Sequence, residues 1–448
     1  LFMKKLLSII FIIILNLCVL KAAVSNFRFE HMTTANGLSH NTVIEIMQDH
    51  QGFLWFGTLN GLDRYDGYHF TPYKPITGDS TSLSDNVINA IHEDSRQRLW
   101  VGTLNGLNLY NRSEDNFQRL THERNNDNSL IDNRVRCIME DQKGIIWIGT
   151  EGGVSCYDPV EKQFENFVPN LSKKGTLQDF IIHDIYEDSR KQIWIATELG
   201  LNKYNRITDD FDYYPCRTEP GLPNAAAMCI QEDRWGNIWV GTWNNGLQRL
   251  DIATQKIQPV EAIDAEIITN IHIDNANRMW ICSYDKGLFV LPQIYRNLND
   301  KSFSDLQNYT YDEFDDTGIN SNELWTVFED ETGLIWLGNE NAGINKCNPA
   351  ASHIRHYRAK IFDTNSLSNN RVTGFYEDES GKIWIGTRFG GLNTFDPQRE
   401  KFEVYRYDAQ NVNSIASNMV VSLAGTENYL WIGTGVHGLD RLNRHTGE

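Results

Sequence analysis

Asp49-His50-Gln51-Gly52-Phe53-Leu54-Trp55-Phe56-Gly57-Thr58 reads as a turn running into a strand. Asp49 can accept hydrogen bonds from turn backbone donors, and Gly52 supplies a position with φ above zero. The segment after Gly52 is apolar on both alternating faces, the pattern of a strand covered on both sides. Val43-Ile44-Glu45-Ile46-Met47 precedes the turn as another apolar strand, and Gly61-Leu62-Asp63-Arg64-Tyr65-Asp66 and Phe70-Thr71-Pro72-Tyr73 follow as two more. The unit recurs. Trp stands at 55, 100, 147, 194, 239, 280, 336, 384 and 431, and an Asp stands six residues before each until the ninth, where Gly425 replaces it. Four antiparallel strands per repeat of about 45 residues make a propeller blade. Helical solenoids need 3.6-period stretches, which are absent. The fold class is therefore all-β, a propeller of four-stranded antiparallel blades.

A second signature joins the units: Thr81-Ser82-Leu83-Ser84-Asp85-Asn86, Asn128-Ser129-Leu130-Ile131-Asp132-Asn133, Asn365-Ser366-Leu367-Ser368-Asn369-Asn370 and Asn413-Ser414-Ile415-Ala416-Ser417-Asn418. Its Leu or Ile is expected to plug the seam between blades, with Asn and Ser tying the loop backbone. The Gly two residues after most of the Trps predicts close backbone approach.

Together, Asn-Ser-Leu-Ser-Asp-Asn-Val and Glu-Asp-x-x-Gly-x-Ile-Trp-Ile-Gly-Thr-x-x-Gly-Leu resemble the two-component regulator propeller repeat. With its leader, the chain resembles the periplasmic sensor of hybrid two-component systems in polysaccharide-degrading bacteria. The resemblance implies two seven-bladed propellers, an Ig-like domain, a membrane helix, a histidine kinase, a receiver and a DNA-binding domain, in a receptor expected to be a homodimer. On that basis residues 1–23 are expected to be a signal peptide, 24–358 a first propeller of repeats one to seven, and 359–448 two blades of a truncated second one. A closed nine-unit ring is the alternative. Phe27-Arg28-Phe29-Glu30-His31-Met32 is expected to serve as an outer strand closing the ring, and Pro292 to Asn320 reads as an insertion within or after the sixth unit.

Lys4, Lys5 and the apolar Leu6 to Leu20 have the layout of an export signal, too short to span a membrane comfortably. That predicts a periplasmic location. The chain carries 41 Lys+Arg against 59 Asp+Glu, a net charge of −18. Such a surface repels phosphate backbones, so nucleic acid is excluded as a partner. The six cysteines after Cys18 match neither a metal motif nor a disulfide framework, and are expected to be buried free thiols.

Propellers also carry enzymes, so a secreted glycosidase or lyase is the rival reading. A turn that recurs in nearly every blade is architecture, whereas a catalytic site is singular, and no catalytic residue is assigned. Neither a metal nor a cofactor is assigned. His353 and His356 point to opposite faces of a strand, and Asp312-Glu313-Phe314-Asp315-Asp316 reads as a solvated acidic loop. Trp235 and Trp325 are expected to pack in the core.

The informative variation lies in the loop after the Trp strand. A Gly comes six residues after Trp in repeats one to four, and seven after in repeats five to nine. The longer loops display Trp243, Asn244, Tyr284, Asp285, Glu340, Asn341, Arg388 and Phe389. Aromatic faces beside amides and carboxylates suit a sugar, which stacks on one and hydrogen-bonds the other. The expected partner is an oligosaccharide or another small ligand.

Overall fold

The computed structural model describes residues 27–448 except 171, 217–224, 252–253, 296–302, 351–356, 361–362, 427, 445 and 447–448. The expected leader and the His353/His356 pair lie outside the described residues. Two compact units divide the chain, Leu1–Ser352 and His353–Glu448.

Among the described residues, unit one is built from β-strands and loops, with a 3-10 turn at Thr34–Asn36. It holds seven four-stranded antiparallel sheets, or blades. Blades 1 to 7 have as their innermost strands Val43–Gln48, Ile88–Glu93, Val135–Glu140, Ile182–Glu187, Ala226–Glu232, Ile268–Ile273 and Leu324–Glu329. These seven neighbour one another in a cycle, the last lying against the first. Phe29–Met32 supplies the outer strand of blade 7, pairing with Ile344–Cys347 in the register Phe29↔Cys347 to Met32↔Ile344. The N-terminal strand thus completes the sheet whose other strands come last in the unit. The insertion falls within blade 6, whose outer strand is Gln307–Tyr309.

The six-residue spacing from Asp to Trp has one physical cause. Asp49 Oδ1 accepts from the backbone N–H groups of Gln51 and Phe53, both at 3.0 Å, and Oδ2 accepts from Trp55 Nε1 at 2.9 Å. One carboxylate therefore shapes the turn and saturates the indole of the following strand. The same indole bond recurs at Trp100, Trp147, Trp194, Trp239, Trp280, Trp336 and Trp384, at 2.7 to 3.1 Å. Freed of its polar cost, each ring packs as a hydrophobe. Trp55 lies among Leu62, Leu83, Ile88 and Leu99, in the seam between blades 1 and 2. Leu54–Thr58 is buried at every position, as its two-sided pattern requires.

The inter-blade loops do plug the seams. Leu38, Leu83, Leu130, Leu177 and Ile319 are all buried in unit one. The Gly after Trp is required by close approach: a Cβ at Gly102 would stand 2.5 Å from Val135 Cγ1, on the next blade's inner strand.

A latch repeats at the other end of the inner strands. The terminal Glu of one blade accepts the turn N–H of the blade before: His50 to Glu93 (2.7 Å), Ser95 to Glu140 (2.6 Å), Gln142 to Glu187 (2.8 Å), Ser189 to Glu232 (2.7 Å) and Asn275 to Glu329 (3.0 Å). Gln48 does the same for Glu331 at 2.8 Å, joining blade 7 to blade 1. Between blades 5 and 6 the position is Ile273, and Trp235 and Ile273 instead pack on a shared apolar cluster.

Unit two contains one four-stranded sheet, Val372–Glu377 through Lys401–Tyr405, and one three-stranded sheet, Val420–Gly425, Tyr429–Thr434 and Leu439–Asn443. Leu367 and Ile415 are its buried loop plugs.

Candidate ligand-binding site

The loop after each Trp strand shares a rim with the loop entering the next blade. Gly61 N–H donates to Asn86 O at 2.7 Å, Gly246 to Glu266 O at 2.9 Å, Gly287 to Asn322 O at 3.0 Å and Gly343 to Asn41 O at 2.7 Å. Four residues after each Trp comes a rim position held toward the inner strand: Glu151 N–H bonds Arg134 O, Tyr284 N–H bonds Ile267 O, and Glu340 N–H bonds Glu323 O. Around unit one this position reads Leu59, Leu104, Glu151, Glu198, Trp243, Tyr284 and Glu340. Blades 1 and 2 are apolar there, blades 3 and 4 carry acids with side-chain partners, and blades 5 to 7 carry the candidate residues. Arg134 and Arg136 pair with Glu151 at 2.7 and 2.6 Å, and His183 Nε2 lies 3.1 Å from Glu198.

Trp243 and Tyr284 come together, their centroids 5.8 Å apart and their planes tilted by 39°. A third ring continues the row: Trp325 lies 5.2 Å from Tyr284 at 59°. Here the expectation of a core Trp325 is corrected. It sits at the bulge of its inner strand, where register shifts between Leu324 and Thr326, and the extra residue turns toward the rim. All three rings are half-buried. Glu340 accepts the Trp325 indole N–H through Oε2, fixing that ring while itself remaining only half-buried. Burial raises the Tyr284 phenol above its usual range, and the charges of Glu340 and Glu323 push it further.

The remaining candidates divide. Asn244 is exposed in a left-handed backbone conformation, φ +83°, at the tip of its loop. Asp285 is exposed but folds back, its Oδ1 accepting from Ser283 Oγ at 2.7 Å. Asn341 is exposed at the seam between blades 7 and 1, with Oδ1 3.5 Å from Thr42 Oγ1. Arg388 and Phe389 belong to unit two, where Arg388 stacks 5.6 Å from the exposed Phe389 ring. Trp235 is half-buried, with the Arg234 guanidinium 4.3 Å from its ring centroid.

Inside the ring lie two acids from opposite strands. Glu45 of blade 1 and Asp184 of blade 4 are half-buried. Burial pushes Glu45 up to about 8, against the backbone N–H of Ile46 and reinforced by the Asp184 charge. Burial pushes Asp184 up to about 6, although it accepts from the N–H groups of Ile230 and Ile185, both at 2.8 Å. The buried Cys216 and Cys347 thiols are pushed up to about 12 by burial, so they are inert at neutral pH.

The family described as two component regulator propeller matches residues 37–60, 82–105, 129–152, 221–244 and 366–389. Histidine kinase P4 of Formosa agariphila is 49% identical over 63 residues, 14% of this chain and 5% of that protein. Among solved structures, the extracellular domain of a hybrid two component system from B. thetaiotaomicron superposes with a TM-score of 0.76 at 25% identity, over 94% of this chain and 54% of that one. Virginiamycin B lyase from Staphylococcus aureus reaches 0.53 at 14% identity, over 72% of this chain and 99% of that one, a likeness of fold alone. The chain spans about half the length of the extracellular domain it resembles, and a small part of the kinase. Among the described residues no helix is long and apolar enough to cross a membrane.

Proposed function

From a chain built of two-component regulator propeller repeats, we propose a periplasmic sensing module that recognises an oligosaccharide and passes the signal to a kinase in the same receptor. Unit one is, on this reading, a complete propeller of seven blades, unit two the first blades of another, and the receptor a homodimer. The observation that carries the ligand assignment is the run of three rings, Trp243, Tyr284 and Trp325, contributed by three successive blades to one rim. Half-buried aromatic faces offer a sugar ring a flat apolar surface. Asn244 and Asn341, exposed on the loops of blades 5 and 7 to either side of Tyr284, supply amides for hydroxyl groups. The extracellular domain among the solved relatives supports the sensing role and the export.

Calorimetry against a panel of oligosaccharides tests this. Loss of a stacking aromatic costs about 1–3 kcal/mol, roughly 5- to 150-fold in affinity. Trp243→Ala and Tyr284→Ala should weaken whichever glycan binds by that factor, whereas Leu59→Ala at the equivalent position of blade 1 should not. Folded aromatic variants that bind like the parent chain would place the site elsewhere.

A further inference from the structure

We propose that the Trp243–Tyr284–Trp325 wall selects a ligand carrying an ammonium group, which for a saccharide means an amino sugar. The inference deepens the sensing reading and rests on it. Aromatic rings have negative faces, and several rings set at angles around one spot attract a cation. The two ring pairs are tilted by 39° and 59°, so the three faces form adjoining walls rather than a parallel stack.

The acids at this rim point the same way, through a break in the pattern around the ring. At the equivalent position of blade 3, Glu151 is answered by the guanidinium groups of Arg134 and Arg136, whereas Glu198 of blade 4 meets His183, which burial pushes toward its neutral form. Among the described residues, the Glu340 side chain is answered by the indole N–H of Trp325, a neutral donor that leaves the negative charge in place. Its backbone N–H bonds the carbonyl of Glu323 at 3.0 Å, which sets a second, exposed acid beside it. Among the described residues neither Glu323 nor Glu340 makes an ion pair. Both charges act on the Tyr284 hydroxyl. Uronates and sulfated sugars would meet aromatic faces and carboxylates of their own sign. An ammonium would meet both as attractive groups.

The test uses the whole chain at about pH 6, where amines are protonated. Four probes are titrated by calorimetry: a glucosamine trimer, its N-acetylated counterpart, a galacturonate trimer and choline. The glucosamine trimer should bind about 3- to 30-fold tighter than the acetylated form, the range of a cation–π contribution, and added salt should narrow the gap. Glu340→Gln keeps an acceptor for the Trp325 indole and should erase most of the preference, with Glu323→Gln as a second, exposed variant. Equal or better binding of the acetylated or galacturonate trimer, still dependent on Trp243, would overturn the ammonium inference and leave the sensing reading standing. Choline binding as tightly as the glucosamine trimer would support the ammonium site and overturn the saccharide. Failure of all four probes would overturn the ammonium inference, while the sensing reading stands or falls with the wider oligosaccharide panel.

Discussion

Replacing Asp188 tests whether one carboxylate carries both the turn and the tryptophan of a blade. The side chain is buried, with Oδ1 accepting from the N–H groups of Arg190 and Gln192 at 2.9 Å each and Oδ2 accepting from Trp194 Nε1 at 3.0 Å. Asp188→Ala orphans three donors. A buried donor left unsatisfied costs about 1–3 kcal/mol, and partial hydration of the turn brings the total to about 3–5 kcal/mol. Asp188→Asn keeps the carbonyl for the two backbone donors but sets an amide N–H against the indole N–H, so it should cost about 1–3 kcal/mol. Trp194→Phe removes that donor. In its background the cost of Asp188→Asn should fall to that of the half-exposed Arg190 ion pair (3.5 Å), about 0–1 kcal/mol, a coupling of about 1–3 kcal/mol in a double-mutant cycle. Urea titrations followed by far-UV circular dichroism measure all four variants. An Asn variant within 0.5 kcal/mol of the parent, or a cycle without coupling, would refute the shared-carboxylate account.

Removing Glu45 should alter the pH dependence of stability. Its folded pKa of about 8 lies above the unfolded value, so its contribution is fully present below about pH 4.5 and is lost as pH rises through 8. Thermal melts should show Glu45→Gln more stable than the parent at about pH 8, by about 2–5 kcal/mol, with the gap closing toward pH 5; parallel profiles would sink the assignment. The inter-blade latch predicts a smaller effect. Glu232→Ala deprives Ser189 of acceptors for its N–H and hydroxyl, both at 2.7 Å, and should cost about 1–2 kcal/mol. Glu377→Ala in unit two, where the same position accepts no such bond among the described residues, should be neutral in the same urea assay.

The blade was legible because its determinants are local and repeated. Two-sided apolar runs, a turn Asp, a Gly at the crowded position and a Leu plug all lie within one repeat. The indole bond was not read from the spacing, since periodicity says where Trp recurs but not which polar group its N–H meets. The rim was half legible: lengthened loops singled out Trp243 and Tyr284, which do come together. Trp325 escaped because an alternating strand pattern assigns it to one face of the sheet. The β-bulge that adds an unpaired residue at this point is invisible in a hydrophobicity pattern. Asp285 escaped in the opposite sense, looking free in the loop but bonding its own turn.

The most direct test of the account is a crystal structure of the chain with a bound oligosaccharide selected from the calorimetric panel. Sugar rings should lie against the faces of Trp243, Tyr284 and Trp325, with hydroxyl groups on Asn244 or Asn341. A glycan bound at the opposite rim, or on the apolar blades around Leu59 and Leu104, would contradict it.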